Sequence, residues 1–340
     1  MLCQFRRSSL LLAGLALQIA ACRGCNRSVP GLVRIGFFPN VTHGQALVGN
    51  LEGTFNRHLG STRAQMVQFT AGASAMEALS SGSIDISYVG TAPAINFYLK
   101  ADGRLRVIAA AVNGGAIFVT KTARSAQDLK GKIVASPQLG NSQDIALRHW
   151  LKTQGLKIAD DSRGDLTVIP LANADILGLF TSGKLEGAWV PEPWGARLIW
   201  EGGGHILVDE RDLWPNRTFH TTLLVTTADF LKTRTDEARA VVRAHLELTR
   251  QWREQPARFA EKANDAFGRL TGKPLSARIL DDAFSRLEPA VQPLPQLLSL
   301  VARHSYELGF ARTADTSGIV DTSLLEEALL GAGLGSAHQN

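Results

Sequence analysis

From Val33 onward, short runs of β-branched and aromatic residues alternate with stretches of helical periodicity. Residues 33–38, 65–69, 84–89 and 105–112 read as strands, with helices between them over 45–59, from Ser74 and from Gly90-Thr91-Ala92-Pro93. Ser74 and Glu77 have capping-box spacing. Alternation of this kind winds into parallel β/α units. The pattern then restarts: 116–120, 132–135, 166–170, 187–190 and 206–208 are strands, and 142–154, 175–182 and 193–200 are helical. Residues 221–226 read as a strand that crosses back to the first block. From Asp236 the chain turns to helix, where Val241, Ala244, Leu248 and Trp252 form one stripe. A second α/β block inserted into a first implies two lobes and a cleft. Ligands of open α/β sheets sit at the carboxyl ends of the strands.

A chain of 340 residues supports about two domains. Lys and Arg number 36 against 31 Asp and Glu, and these charges are scattered. No basic run and no RNA-reading aromatic motif is present, so nucleic acid is not an expected partner.

The N-terminus reads as an export signal. Arg6 and Arg7 precede an apolar stretch that ends in Ile19-Ala20-Ala21-Cys22. This tetrapeptide resembles the bacterial lipobox, so 1–21 is expected to be a lipoprotein signal peptide, Cys22 the lipidated residue and 22–31 a tether. An ordinary signal peptide with a chance cysteine is the alternative. The Arg6-Arg7 pair loosely resembles a twin-arginine signal and leaves the export route open. Cys3, Cys22 and Cys25 are the only cysteines. The body of the protein therefore has no disulfide, thiol nucleophile or cysteine metal site.

Enzymatic motifs are missing. There is no G-x-S-x-G elbow, H-E-x-x-H helix or phosphate-binding loop. The eight histidines are scattered; His43 and His220 lie beside expected strand ends. What recurs is a helix start without charge. Thr42-His43-Gly44-Gln45, Thr70-Ala71-Gly72-Ala73-Ser74, Gly90-Thr91-Ala92 and Gly140-Asn141-Ser142-Gln143 each follow a strand. Unpaired amides and the helix dipole make such places favourable for an anion. In Gly187-Ala188-Trp189-Val190-Pro191-Glu192-Pro193-Trp194 two prolines turn the chain rigidly at a strand end. Trp194 could cover an aliphatic part of a ligand. Glu192 would repel an anion, and is expected to bond a backbone N–H or the other lobe.

Taken in order, several segments resemble the substrate-binding proteins of ABC importers in the nitrate/sulfonate/taurine group, which includes thiamine-pyrimidine-synthase-like members. They are Ile35-Gly36-Phe37-Phe38-Pro39-Asn40, the run from Ala71 to Leu79 with Gly82-Ser83-Ile84-Asp85, Val89-Gly90-Thr91-Ala92-Pro93, Asp128-Leu129-Lys130-Gly131-Lys132 and Trp189-Val190-Pro191-Glu192-Pro193. The resemblance implies an α/β chain of type II periplasmic-binding-protein fold, with two lobes joined by two crossing strands. The lobes are expected over 32–118 and 119–222, with 223–335 completing the first, and the hinge near 116–120 and 221–226. It further implies a solute receptor, not an enzyme, held at the cell envelope by its lipid. It would work as a monomer with a permease and an ATPase, and without a cofactor. On this expectation a small anion, most simply an aliphatic sulfonate, rests on Asn40, Thr42-His43, Gly72-Ala73-Ser74 and Gly90-Thr91 of the first lobe. Gln138, Asn141 and Ser142 of the second lobe close over it, with Glu192 and Trp194 at the rim. The alternatives are a neutral aromatic or pyrimidine nutrient stacked by Trp194 and Phe38, or a pyrimidine-synthase-type enzyme using His43 or His220. The cysteine-rich motif of that last branch is absent.

Overall fold

The computed structural model describes residues 30–100, 103–158 and 164–331. The expected signal peptide, Cys22 and all but the last two residues of the expected tether lie outside them.

Eleven strands are present among the described residues. The first lobe begins β1 (Leu32–Phe37), α1 (Gly44–Glu52), α2 (Thr54–Leu59), β2 (Arg63–Gln68), α3 (Gly72–Ser80), β3 (Ile86–Val89), α4 (Thr91–Lys100) and β4 (Leu105–Gly114). The helix expected over 45–59 is thus two helices, divided at Gly53. The second lobe follows: β5 (Ala116–Thr120), β6 (Ile133–Ser136), α5 (Ser142–Thr153), β7 (Thr167–Pro170), α6 (Asn173–Thr181), β8 (Gly187–Pro191), α7 (Trp194–Trp200) and β9 (His205–Asp209). The chain then returns through β10 (His220–Thr227), α8 (Ala228–Thr233), α9 (Thr235–Glu254), α10 (Pro256–Thr271), α11 (Ala277–Phe284), β11 (Leu287–Pro289), α12 (Pro295–Glu307) and α13 (Ser323–Gly331).

The two sheets share one plan. The first is ordered β11-β4-β10-β3-β1-β2, the second β7-β6-β8-β5-β9. In each, three parallel strands carry β/α units, and a fourth strand runs antiparallel beside them. That antiparallel strand, β10 or β5, is the one that arrives from the opposite lobe. Side chains alternate across each sheet, as strand geometry requires. On β5, Ile117 and Val119 join one apolar cluster, while Ala116 and Phe118 join another with Trp150 and Trp189. Each such buried aromatic contributes on the order of 2–3 kcal/mol.

The expected lobe limits need adjusting. A division at 118/119 falls inside β5, and one at 222/223 falls inside β10, although each strand belongs wholly to one sheet. The first crossing is instead Gly114-Gly115, both in the left-handed region with φ of 71° and 73°. A Cβ on Gly114 would lie 2.4 Å from the Arg286 carbonyl oxygen, and one on Gly115 would lie 2.1 Å from a Leu287 methyl. Only glycine suits this pair of positions.

Candidate functional site

The parallel strands of both sheets end at the seam between the lobes, where loops lead into helices. The first four amides of a helix have no partner within it. At α4 one of these, the Ala92 N–H, donates to the Ser142 hydroxyl of the second lobe at 3.1 Å. Asn96 Nδ2 donates to the Gly140 carbonyl at 3.3 Å. Two of the four uncharged helix starts therefore meet face to face. Gly90 makes this approach possible, because a Cβ there would stand 2.9 Å from Ser142 Oγ. Thr91 is buried and its hydroxyl donates to the His220 carbonyl, tying α4 to β10.

The start of α3 lies beside that of α4: a Cβ on Gly72 would be 2.4 Å from Pro93 Cγ. Ala73 and Ser74 are exposed. The capping box expected at Ser74 does not form. Ala71 is the N-cap, and the Ser74 hydroxyl donates back to the Ala71 carbonyl at 2.9 Å.

At the end of β1, Asn40 reaches across the seam, its Oδ1 accepting the Trp194 indole N–H at 3.1 Å. Thr42 is buried, and its carbonyl accepts the Thr222 hydroxyl at 2.9 Å. His43 is packed inward. It is buried against Phe38, with ring centroids 4.7 Å apart, and its Nδ1 accepts the Phe38 N–H at 3.4 Å. Burial lowers its pKa to about 3, so the imidazole is neutral and brings no charge to the seam.

Asn141 Oδ1 accepts the Asp144 N–H at 2.9 Å, an ordinary N-cap of α5. Asp144 is wholly buried and accepts the Gly140 N–H at 2.8 Å and the Ser136 hydroxyl at 2.6 Å, with Arg148 2.9 Å away. The positive end of α5 is thus answered by its own carboxylate, while that of α4 is not. Gln138 is half-buried, its carbonyl accepting the Asn141 N–H at 3.2 Å.

Glu192 is fully buried and bonds in both ways expected of it. Its Oε2 accepts the Ala196 N–H of α7 at 2.9 Å, and its Oε1 accepts from Arg286 Nε of the first lobe at 2.6 Å. Burial pushes the carboxyl up, against the pull of Arg286. It is an interlobe fastening. Beside it Trp200 Nε1 donates to Asp282 at 3.0 Å.

Between the lobes a cavity of about 20 Å³ remains, room for one water. Thr91 and Ser142 border it, with Ile145 of α5 and Leu297, Val301 and His304 of α12 as walls. Glu210, Trp214 and His220 complete it. Sequence reasoning named Thr91 and Ser142 and noted His220, but missed Ile145, the α12 residues, Glu210 and Trp214. The spacing of Leu297, Val301 and His304 on one helix face was a signal for the wall; nothing local marked Glu210.

Two sheets of like plan, crossed by the chain and closing on a seam of helix starts, define a type II periplasmic-binding-protein fold. The structure of the alkanesulfonate-binding protein SsuA from Xanthomonas axonopodis pv. citri, bound to MOPS, superimposes with a TM-score of 0.71 at 20% identity, covering 87% of this chain and 99% of that one. The nitrate-binding protein NrtA from Synechocystis PCC 6803 gives 0.73 at 17% identity, covering 88% and 89%. A model of the NMT1-like family matches residues 29–265, and the chain belongs to that family. The taurine-binding periplasmic protein of Escherichia coli K12 is 26% identical over 243 residues, 67% of this chain and 70% of that protein. Matches to binding proteins of Brucella abortus span 66% of their length, just under two thirds.

Proposed function

We propose that this chain is the extracytoplasmic solute receptor of an ABC importer, and that it captures a small organic anion, an aliphatic sulfonate, between its lobes. The observation that carries the reading is the Ala92 amide. It is a helix-start donor without a partner in its own helix, and a neutral hydroxyl from the opposite lobe answers it. A sulfonate oxygen in place of that hydroxyl would gain the amide and the field of α4 together. Ser142 would then donate to the ligand from the second lobe. Contact with both walls is what makes closure follow binding. Ile145, Leu297 and Val301 offer an apolar wall to an alkyl chain. Similarity to the taurine-binding protein of E. coli and the alkanesulfonate-binding protein of Xanthomonas supports the ligand class. The neutral-aromatic alternative needs Phe38 and Trp194 as stacking partners. Here Phe38 faces His43, and Trp194 lies under the Arg197 guanidinium at 4.8 Å.

The same proposal includes export, a lipid anchor at Cys22, a monomeric working form and delivery to a permease with its ATPase. The cavity is too small for an alkanesulfonate while the seam is shut, so capture requires the lobes to part about their crossings. Calorimetric titration with methanesulfonate, ethanesulfonate, taurine and nitrate tests the ligand class. Sulfonates are expected to bind; binding of nitrate alone overturns the sulfonate assignment, and binding of no anion overturns the anion reading.

A further inference from the structure

The seam contains one acidic group that a site for anions does not explain. Glu210 follows β9 in a 3-10 turn, is 3% exposed and lines the interlobe cavity. Its Oε2 accepts the Trp189 indole N–H at 2.7 Å. No ion pair found among the described residues includes it. The Arg211 guanidinium is turned to Asp209 at 2.6 Å, and Arg217 is held by Asp212.

The groups that face it add no positive charge. His220 has its Nε2 accepting the Leu294 N–H at 2.8 Å, so its proton sits on Nδ1, toward Asn113 Oδ1 at 2.7 Å. His304 of α12 stacks on His149 of α5 at 3.6 Å. Burial lowers the pKa of both His220 and His304 to about 4, so both are neutral. Asp144 and Arg148 on α5 answer each other. Strands β5 and β8 carry no ionisable side chain, and Asp209 on the same turn adds negative charge. Burial pushes the carboxyl pKa up to about 8 and Asp209 adds to this, against the Trp189 and Trp214 indole N–H groups, which favour the carboxylate.

We propose that Glu210 meets the bound anion as the neutral acid and donates its proton to a ligand oxygen, so that ionisation of Glu210 drives the anion out. This rests on the seam being the anion site. In the acid form an O–H···O⁻ bond is short and strong. In the ionised form two negative charges share a site from which water is largely excluded. The favoured ligand is therefore a monoanion without an ammonium group. A zwitterion would reverse the dependence, because its cation would pair with ionised Glu210.

The test is calorimetric titration of the full chain and of Glu210→Gln with methanesulfonate, taurine, nitrate and acetate between pH 6 and 10. Gln keeps a donor of similar shape but does not titrate. For the wild type, affinity for methanesulfonate should hold near pH 6 and fall by about tenfold per pH unit above the pKa of Glu210. Glu210→Gln should bind within about threefold of wild type at pH 6 and show no slope above it. Should a different monoanion bind instead, the same slope is expected for that anion. A wild-type methanesulfonate affinity that does not change with pH, or a Glu210→Gln variant that keeps the wild-type slope, overturns the role of Glu210 alone. Binding of no anion at any pH overturns the ligand reading with it. A ligand-free readout stands beside these. Wild type should lose melting temperature relative to Glu210→Gln between about pH 4.5 and 8, and a constant difference overturns the neutral acid.

Discussion

Replacing Arg286 by Met removes the cation opposite Glu192 and leaves the carboxylate in a site with no exposure and one remaining donor, the Ala196 N–H. Breaking one side of a buried pair costs about 3–5 kcal/mol. Glu192 can limit this cost by taking a proton. The limit at pH 7 is the work of protonating a group of ordinary pKa 4.5, roughly 3.4 kcal/mol at about 1.4 kcal/mol per unit. At pH 5 the same limit is only about 0.7 kcal/mol. The sign follows from the direction of the shift. Burial already holds the wild-type carboxyl above its unfolded value, and loss of Arg286, which pulls it down, raises it further, so the variant takes up the proton more fully when folded and weakens more steeply than wild type as pH rises from 4.5. Urea unfolding of wild type and variant at pH 5 and pH 7 measures both. A loss near 3 kcal/mol at pH 7 that shrinks severalfold at pH 5 is expected, beyond a fixed packing term. Glu192→Gln is the control. Arg286 keeps its two 2.8 Å bonds to Asp282, so that variant should lose only about 1–2 kcal/mol, with little dependence on pH. An equal cost for Arg286→Met at the two pH values, or one under about 1 kcal/mol at pH 7, would refute the reasoning.

Gly90→Ala places a methyl 2.9 Å from Ser142 Oγ, a contact that exists only when the lobes are shut. Overpacking of about 1–3 kcal/mol should weaken ligand binding by roughly ten- to a hundredfold while the melting temperature of the ligand-free protein barely moves. Trp194→Phe removes the interlobe bond to Asn40 at 3.1 Å; about 1 kcal/mol, or a roughly fivefold rise in Kd, is the expected effect in the same titration. His43, His220 and His245 are buried with pKa values lowered to about 3, 4 and 4, so the unfolded chain binds more protons below pH 6.5. In a Glu210→Gln background, free of the opposing slope of that carboxyl, urea midpoints should therefore decline steadily from about pH 6.5 toward pH 4; a flat profile over that range would contradict the burial of these rings.

Much of the architecture was legible in local pattern. Strand–helix alternation revealed two α/β blocks, and the unbroken apolar runs of β5 and β8 belong to strands buried on both faces. Pattern shows which face is covered and not which strand lies alongside. Hence the crossing expected within residues 221–226 is a full member of the first sheet, and β11 went unread. In the seam, the chemistry of Gly90 and Ser142 was visible because a small residue and a hydroxyl at helix starts have few other uses. Asp144 and Glu210 were not visible. Both sit among charged or polar neighbours that read as solvated surface, and only tertiary packing buries them. The partner of Glu192 was beyond local reasoning, since Arg286 lies 94 positions along the chain.

The internal carboxylate at the head of α5 gives capture an order. On the anion reading proposed above, a negatively charged guest is drawn to the wall that still has dipole to offer, the one bearing α4. The head of α5, already answered by Asp144, adds no such pull of its own. On that reading landing and shutting are separable events: one half of the molecule selects what is admitted, and the other sets how long it stays.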